Sequence, residues 1–169
     1  MRRSLKLDGG AAEVGAVRKR WASGVAVVIA AEGDGFRGAT IGAMVMVSVD
    51  PPLVLASIDR DGRLAGLLTD GAAFAVSVLE RRHEPTADRF AGRGPLPDLA
   101  LTGIPYDVSP SGLPVLVGAL AWLDCRVRDI HDGGDHSLIV GLVEALGIGV
   151  DTDDPLLTYG GRYRGIEAS

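Results

Sequence analysis

The stretch Gly38-Ala39-Thr40-Ile41-Gly42-Ala43-Met44-Val45-Met46-Val47-Ser48-Val49-Asp50-Pro51-Pro52 decides how the rest of the chain is read. It is apolar and β-branched, carries no charge before Asp50 and stops at two prolines. Residues of that kind favour strands, and an ordinary buried strand is the plain reading. Its first half, however, is built from glycine, alanine and threonine. A strand so poor in side chains lets a flat ligand lie against its backbone.

Working outward, the flanking segments read as further strands. Gly24 to Ala31 is a continuous apolar run rich in valine, closed by Glu32-Gly33-Asp34-Gly35 as a turn. Leu53 to Ile58 follows the prolines, and Ala73 to Leu79 returns to the same pattern. Val115 to Val127 alternates, with Ala119, Ala121, Leu123, Cys125 and Val127 on one face and Leu120, Trp122, Asp124 and Arg126 on the other. Trp122 and Leu120 suit a subunit contact. Asp132-Gly133-Gly134-Asp135 is a turn, His136 to Gly147 another strand and Leu156 to Tyr159 a last short one. Three helices are expected: one through Val14, Val17 and Trp21, ending near Gly24 and capping the sheet; one over Asp61 to Asp70 on Leu64, Leu67 and Leu68; and one over His83 to Gly92 with Pro85 in its first turn. Arg93 to Pro114 reads as a long ordered loop of the kind that lines a site. About seven strands with turn signals between them favour a small barrel or sandwich over a βαβ fold.

The totals narrow the function classes. A chain of 169 residues fits one domain able to bury a core without disulfides. A net charge of −5 argues against a general nucleic-acid binder, which needs concentrated Lys and Arg. The one basic cluster, Arg18-Lys19-Arg20, reads as a solvated helix face. A single cysteine excludes an intramolecular disulfide and points to a reducing, cytoplasmic setting. The N-terminus lacks a secretory apolar run, and no apolar stretch of about 20 residues suits a membrane span.

Several motifs tempt. Gly33-Asp34-Gly35-Phe36-Arg37-Gly38 matches a dinucleotide fingerprint, with Asp59 about 20 residues on. That reading needs a helix after Gly38, and Ala39 to Val49 has no polar face for one. His131-Asp132-Gly133-Gly134-Asp135-His136 holds two histidines, but no third stands nearby in the sequence, so it reads as a surface turn and not as a metal site. Cys125 lies on the apolar face of its strand, as an inert core thiol does.

Taken in order, the motifs resemble the short flavin reductases with the FMN-binding split-barrel fold, the reductase components of two-component flavin-dependent monooxygenases. The resemblance covers roughly residues 13 to 166. It is carried by Ser23-Gly24-Val25-Ala26-Val27-Val28, Gly38 to Pro52, Phe74-Ala75-Val76-Ser77-Val78-Leu79, Ala87-Asp88-Arg89-Phe90-Ala91-Gly92, Gly118 to Cys125 and Gly134-Asp135-His136. It implies a mainly β, Greek-key-like barrel forming one domain over residues 1–169. It also implies a homodimer that reduces FMN or FAD with NADH or NADPH and passes reduced flavin to a separate monooxygenase. By position, Thr40, Ile41, Gly42 and Ala43 would lie along the flavin ring through backbone groups. Ser57 and Arg63 would hold the phosphate, His136 would sit near the nicotinamide as the catalytic residue, and Tyr163 would reach the flavin edge. No metal is implied. Hydride transfer between two cofactors asks the protein only for stacking, hydrogen bonds and exclusion of water, which agrees with the lack of a nucleophile. Gly42 stands where a serine is common, and Ser77 where an asparagine is common. Both departures weaken the case for side-chain hydrogen bonds to the flavin and leave backbone contacts in place. The alternative is a split-barrel protein that binds flavin without reducing it.

Overall fold

The computed structural model describes residues 9–93, 101–149 and 154–166. A seven-stranded antiparallel sheet dominates it. In chain order its strands are β2 (Ala26–Glu32), β3 (Gly35–Ile41), β4 (Met44–Val49), β5 (Pro52–Asp59), β6 (Ala73–Val78), β9 (Ala121–Gly133) and β10 (His136–Ile148). In space the order is β3-β2-β6-β9-β10-β5-β4. The two edge strands, β3 and β4, are therefore consecutive in the chain, with only Gly42 and Ala43 between them. They pair with β2 and β5 and not with each other. A sheet whose two edges are one covalent segment has to curl until those edges meet, and this closes the barrel.

Burial follows from the sequence. Ala26, Val28 and Ala30 of β2 point into the barrel with Val54, Ala56, Ile58, Phe74, Val76, Leu123, Cys125 and Ile139. Val25, Val27 and Ile29 point outward, yet they are covered too, by Ala87 and Phe90 of helix α2 (Glu84–Phe90) together with Leu79, Leu116 and Leu156. Cover on both faces is why β2 reads as an unbroken apolar run and not as an alternation. Gly38 lies directly under Phe90, where a Cβ would stand 2.6 Å from the ring. Gly141 likewise leaves room for the fully buried Phe74.

The expected helix over Asp61 to Asp70 is instead a series of turns. Its backbone bonds run three residues apart, from Gly62 to Asp59, Ala65 to Gly62 and Leu67 to Leu64. Gly62, Gly66 and Gly71 interrupt helix propagation, while Leu64 and Leu68 still plug the barrel end. The first helix, α1, spans Ala11–Arg18 and buries no residue. Val14, Val17 and Trp21 are 59%, 69% and 78% exposed, so within this chain α1 does not cap the sheet.

The organising stretch is two strands, broken at Gly42–Ala43. The alternating segment from Val115 is also two: β8 (Pro114–Leu116), a turn at Gly118 with φ of 78°, then β9. Of the expected long loop, residues 94–100 lie outside the described residues. The remainder contains β7 (Tyr106–Val108), paired with β8. A three-stranded sheet joins β1 (Ser23–Gly24), β11 (Leu157–Tyr159) and β12 (Arg162–Arg164); β12 was not anticipated from the sequence. The helix near His83 forms as expected, with Pro85 in its first turn and a 3-10 turn at Arg81–His83 before it. Among the described residues no helix is long and apolar enough to cross a membrane.

Candidate cofactor site

Where the two barrel edges meet, the corner is the floor of a cleft of about 720 Å³. Thr40 to Val45 and Leu55 form the floor, with Ser23 and Val25 beside it. The walls are formed by Gly15, Arg18, Lys19 and Trp21 of the α1 region, by Thr158 to Gly161, which Lys19 touches, and by Tyr163, Ala91 and Arg93.

The corner has the composition it needs. A Cβ on Gly42 would stand 3.2 Å from Ser23 Oγ and 3.3 Å from Thr158 Cγ2, so a side chain there would press on the wall. Ile41 turns its side chain into the barrel and is 7% exposed. The Thr40 hydroxyl donates to the Ala87 carbonyl at 2.7 Å and is committed to α2. The Ala43 carbonyl accepts the Ser57 amide at 2.9 Å. Among the described residues, both peptide groups of Gly42 and the Ala43 N–H make no backbone hydrogen bond. The corner thus offers two donors and an acceptor on a surface without bulky side chains. These are groups that the polar edge of a planar heterocycle can satisfy.

The charge of the walls runs against that of the chain. Arg18, Lys19 and Arg93 line the cleft and, among the described residues, no carboxylate does, although the net charge is −5. Arg93 donates to the Tyr163 hydroxyl at 2.6 Å, lies 5.2 Å from that ring's centroid and bonds Asp88 at 3.0 Å. Burial pushes the Tyr163 phenol above its ordinary pKa against the opposing pull of Arg93. A cleft with this lining suits an anionic, flat ligand.

Thr40, Ile41, Gly42, Ala43 and Tyr163 thus come together as expected from the sequence, and the other three do not line the cleft. Ser57 adjoins it through its bond to Ala43. His136 pairs with Asp59, and Ser57 with Leu138, so the two stand on the outward sheet face that also carries Leu55 and Val140. His136 Nδ1 lies 2.7 Å from Asp135 Oδ1. Asp135 sits below the usual carboxylate range mainly through His136, with a smaller contribution from Arg18 across the cleft rim. Arg63 is 70% exposed and bound at 2.6 Å to Glu32, which also holds Arg37. The Arg37 hydrogen bond is the main reason that Glu32 titrates below its ordinary value.

Ser77 is 1% exposed and accepts the Leu116 amide at 2.9 Å, so it ties β8 to the barrel away from the cleft. Cys125 is fully buried, and burial pushes its thiol up to about 12. Among the described residues no three His, Cys, Asp or Glu side chains are grouped to hold a metal. The segment after Gly33, with φ of 58°, is a hairpin into β3 and not a helix, which rules out the dinucleotide fingerprint. Sequence reasoning passed over Arg18, Lys19, Trp21 and Arg93. The available signal was a basic cluster ending in a tryptophan, an unusual composition for a merely solvated face.

A closed antiparallel barrel with a peptide-lined, cationic corner defines the class: a split-barrel protein that binds a planar, anionic cofactor. Residues 18–167 match the flavin reductase like domain family, and the chain belongs to that family. It is 38% identical over 151 residues to the NADH-dependent flavin reductase of a Rhodococcus species, covering 88% of this chain and 82% of the relative. It is 38% identical over 145 residues to the reductase component of 4-hydroxyphenylacetate 3-monooxygenase from Thermus thermophilus, covering 86% and 89%. Its fold matches the NADH:FAD oxidoreductase of Streptomyces globisporus, solved with NAD and FAD fragments, at a TM-score of 0.83 and 30% identity over 92% of each chain.

Proposed function

We propose that the protein is a flavin reductase that uses NADH or NADPH to reduce FMN or FAD and supplies the reduced flavin to a separate monooxygenase. The observation that carries this reading is the corner at Gly42 and Ala43, whose peptide groups, without backbone partners among the described residues apart from the Ala43 carbonyl, line a cleft that Arg18, Lys19 and Arg93 also line. The donor set fits the group: two N–H groups and a carbonyl for the pyrimidine edge of the ring, and positive charge for phosphate.

The bound cofactors supply the hydride chemistry. The chain's own residues bind and orient them. Gly42 and Ala43 fix the ring by its edge, the absence of a Cβ at Gly42 lets the ring lie close, and Tyr163, held by Arg93, bounds the site. We assign His136 to the nicotinamide side, because it stands beyond Ser57 on the outward face of the sheet that carries the cleft. Ser57 and Arg63 are assigned to phosphate, Arg63 being able to exchange its exposed pairing with Glu32 for an anion.

A homodimer fits the same face. Leu53, Leu55, Leu138, Val140 and Leu142 are only half-buried on the outward side of β5 and β10, and Val45, Met46, Val47 and Val49 of the edge strand β4 are each more than half exposed. Such a contiguous apolar surface belongs to an interface. One domain in a reducing cytoplasm, consistent with the free Cys125, completes the reading.

Anaerobic stopped-flow absorbance at the oxidised flavin band tests it, with NADH and NADPH each tried against FMN and FAD. Dependent bleaching is expected. A stable yellow complex that neither nucleotide bleaches would refute reduction and leave flavin binding alone. Light scattering on the purified protein tests the dimer.

A further inference from the structure

One carboxylate at the end of the barrel is shared by two arginines. Glu32 closes β2 opposite Gly35, and Arg37 of β3 stands opposite Ala30, so both side chains fall on the face that Ala26, Val28 and Ala30 turn into the barrel. Arg37 donates to Glu32 Oε2 through Nε at 3.0 Å and Nη2 at 2.7 Å, and Arg63 Nη2 lies 2.6 Å from Glu32 Oε1. Each oxygen therefore has its own arginine. The two differ in depth, with the Arg37 side chain 17% exposed and that of Arg63 70% exposed. Arg63 reaches the carboxylate from the solvent side and has no other ion pair among the described residues. The Gly62 amide donates to the Asp59 carbonyl at 3.2 Å, a turn that keeps Arg63 at the end of β5, the strand of Ser57.

A phosphate arriving at Arg63 meets a guanidinium whose charge is already satisfied. It has to take Arg63 away from Glu32, and Glu32 cannot follow, because Arg37 grips its other oxygen from the more buried side. The phosphate then stands near a fixed negative charge, and both effects lower its affinity. We propose that Glu32 competes with the flavin phosphate for Arg63, and so sets how tightly a phosphate-bearing flavin is held and how readily it leaves. This rests on the assignment of Ser57 and Arg63 to phosphate, and it adds to that reading a counter-ligand built into the chain. A reductase that hands its product to a separate protein has to let the flavin go, and a carboxylate that retakes Arg63 as the phosphate departs favours that step. Riboflavin, which has no phosphate, does not sense the competition.

The test titrates FMN and riboflavin separately into the full-length protein, followed by quenching of flavin fluorescence, at about 0.15 M salt so that distant charges are screened. Glu32→Gln, Arg63→Gln, the double variant and Asp34→Asn are compared with the unaltered chain. Glutamine keeps the length of Glu32 and an oxygen acceptor for Arg37, and melting temperatures check that each variant is folded. Glu32→Gln is expected to tighten FMN by about two- to fivefold, the scale of one exposed ion pair, and to slow FMN dissociation in a displacement experiment by the same factor. Riboflavin affinity is expected to stay where it was. The gain should vanish when Arg63 is also replaced. Asp34 is exposed in the turn that follows Glu32 and forms no ion pair among the described residues, so Asp34→Asn removes the same unit of charge and should leave FMN unmoved. The proposal is overturned if Glu32→Gln leaves the ratio of FMN to riboflavin affinity unchanged, if its gain persists without Arg63, or if Asp34→Asn reproduces it. Failure of Arg63→Gln to weaken FMN relative to riboflavin would instead refute the phosphate assignment, and the competition with it. All of these readouts use oxidised flavin without a nicotinamide, so they stand apart from whether the protein oxidises NADH.

Discussion

Replacing Ser77 by alanine separates a structural role from a cofactor-binding one. Ser77 and Leu116 are 1% and 3% exposed, and the Leu116 amide donates to the Ser77 hydroxyl at 2.9 Å. Alanine removes the acceptor and leaves that amide buried, with no route for water to replace it. An unsatisfied buried donor costs about 1–3 kcal/mol. For a domain of this size each kcal/mol moves the melting temperature by roughly 2–4 °C, so a fall of about 2–12 °C is expected. The chain's contact with the flavin should not change, because Ser77 does not line the cleft. The assay is a thermal melt followed by circular dichroism, paired with flavin affinity from quenching of ring fluorescence. A melting temperature within one degree of the unaltered protein would refute the accounting. A weakened flavin affinity at an unchanged melting temperature would show that the hydroxyl serves the cofactor after all.

Gly141→Ala sets a methyl group against the fully buried Phe74 ring, and a chemical denaturation curve should report a loss of about 1–3 kcal/mol. Gly42→Leu pushes a side chain against Ser23 and Thr158 at the cleft wall, and equilibrium titration should show flavin affinity falling more than tenfold, roughly the effect of losing about 1.4 kcal/mol. With its thiol pushed up to about 12, Cys125 holds only about one part in ten thousand as thiolate at pH 8, so iodoacetamide should label it in denaturant and not in the native protein. The same shift fixes a sign. The folded state keeps the Cys125 proton to higher pH than the unfolded chain does, so its contribution to stability is complete below the ordinary thiol pKa of 9.0 and is lost as pH rises from there toward about 12. Equilibrium unfolding of Cys125→Ala against the unaltered chain across that range should show the difference shrinking as pH increases.

The barrel was legible because its strands carry their burial in their sequence. β2 is covered on both faces and reads as a continuous run, and β9 alternates in sequence because Leu123, Cys125 and Val127 enter the barrel while its other face carries Trp122, packed on Leu113 and Val115, and the buried Asp124, which holds Ser111. The segment Asp61 to Asp70 misled because Leu64 and Leu68 have the spacing of a helix face. Three glycines set the backbone into separate turns, and the leucines reach the barrel end all the same. A pattern of burial specifies where side chains must go, and more than one backbone path can deliver them there.

The site was legible in part, for a related reason. Gly42 and Ala43 stood out because a strand that lacks side chains is unusual in itself. The wall that faces them comes from residues distant in sequence, and α1 gave no sign of its position because nothing in it is buried. Arg18-Lys19 looks like a solvated face as long as the helix is considered alone. Only the bond between the Lys19 carbonyl and Gly160, which connects the α1 region to the β11–β12 hairpin, turns that face toward the corner. The Ser23–Gly24 pairing with β11 does the same for the residues before β2. The cleft is therefore a product of closure. The glycine-alanine corner exists because two sheet edges belong to one segment, and its walls exist because the two ends of the domain are tied together above it. A substitution that loosens the small sheet of β1, β11 and β12 should consequently weaken ligand binding while leaving the barrel core intact.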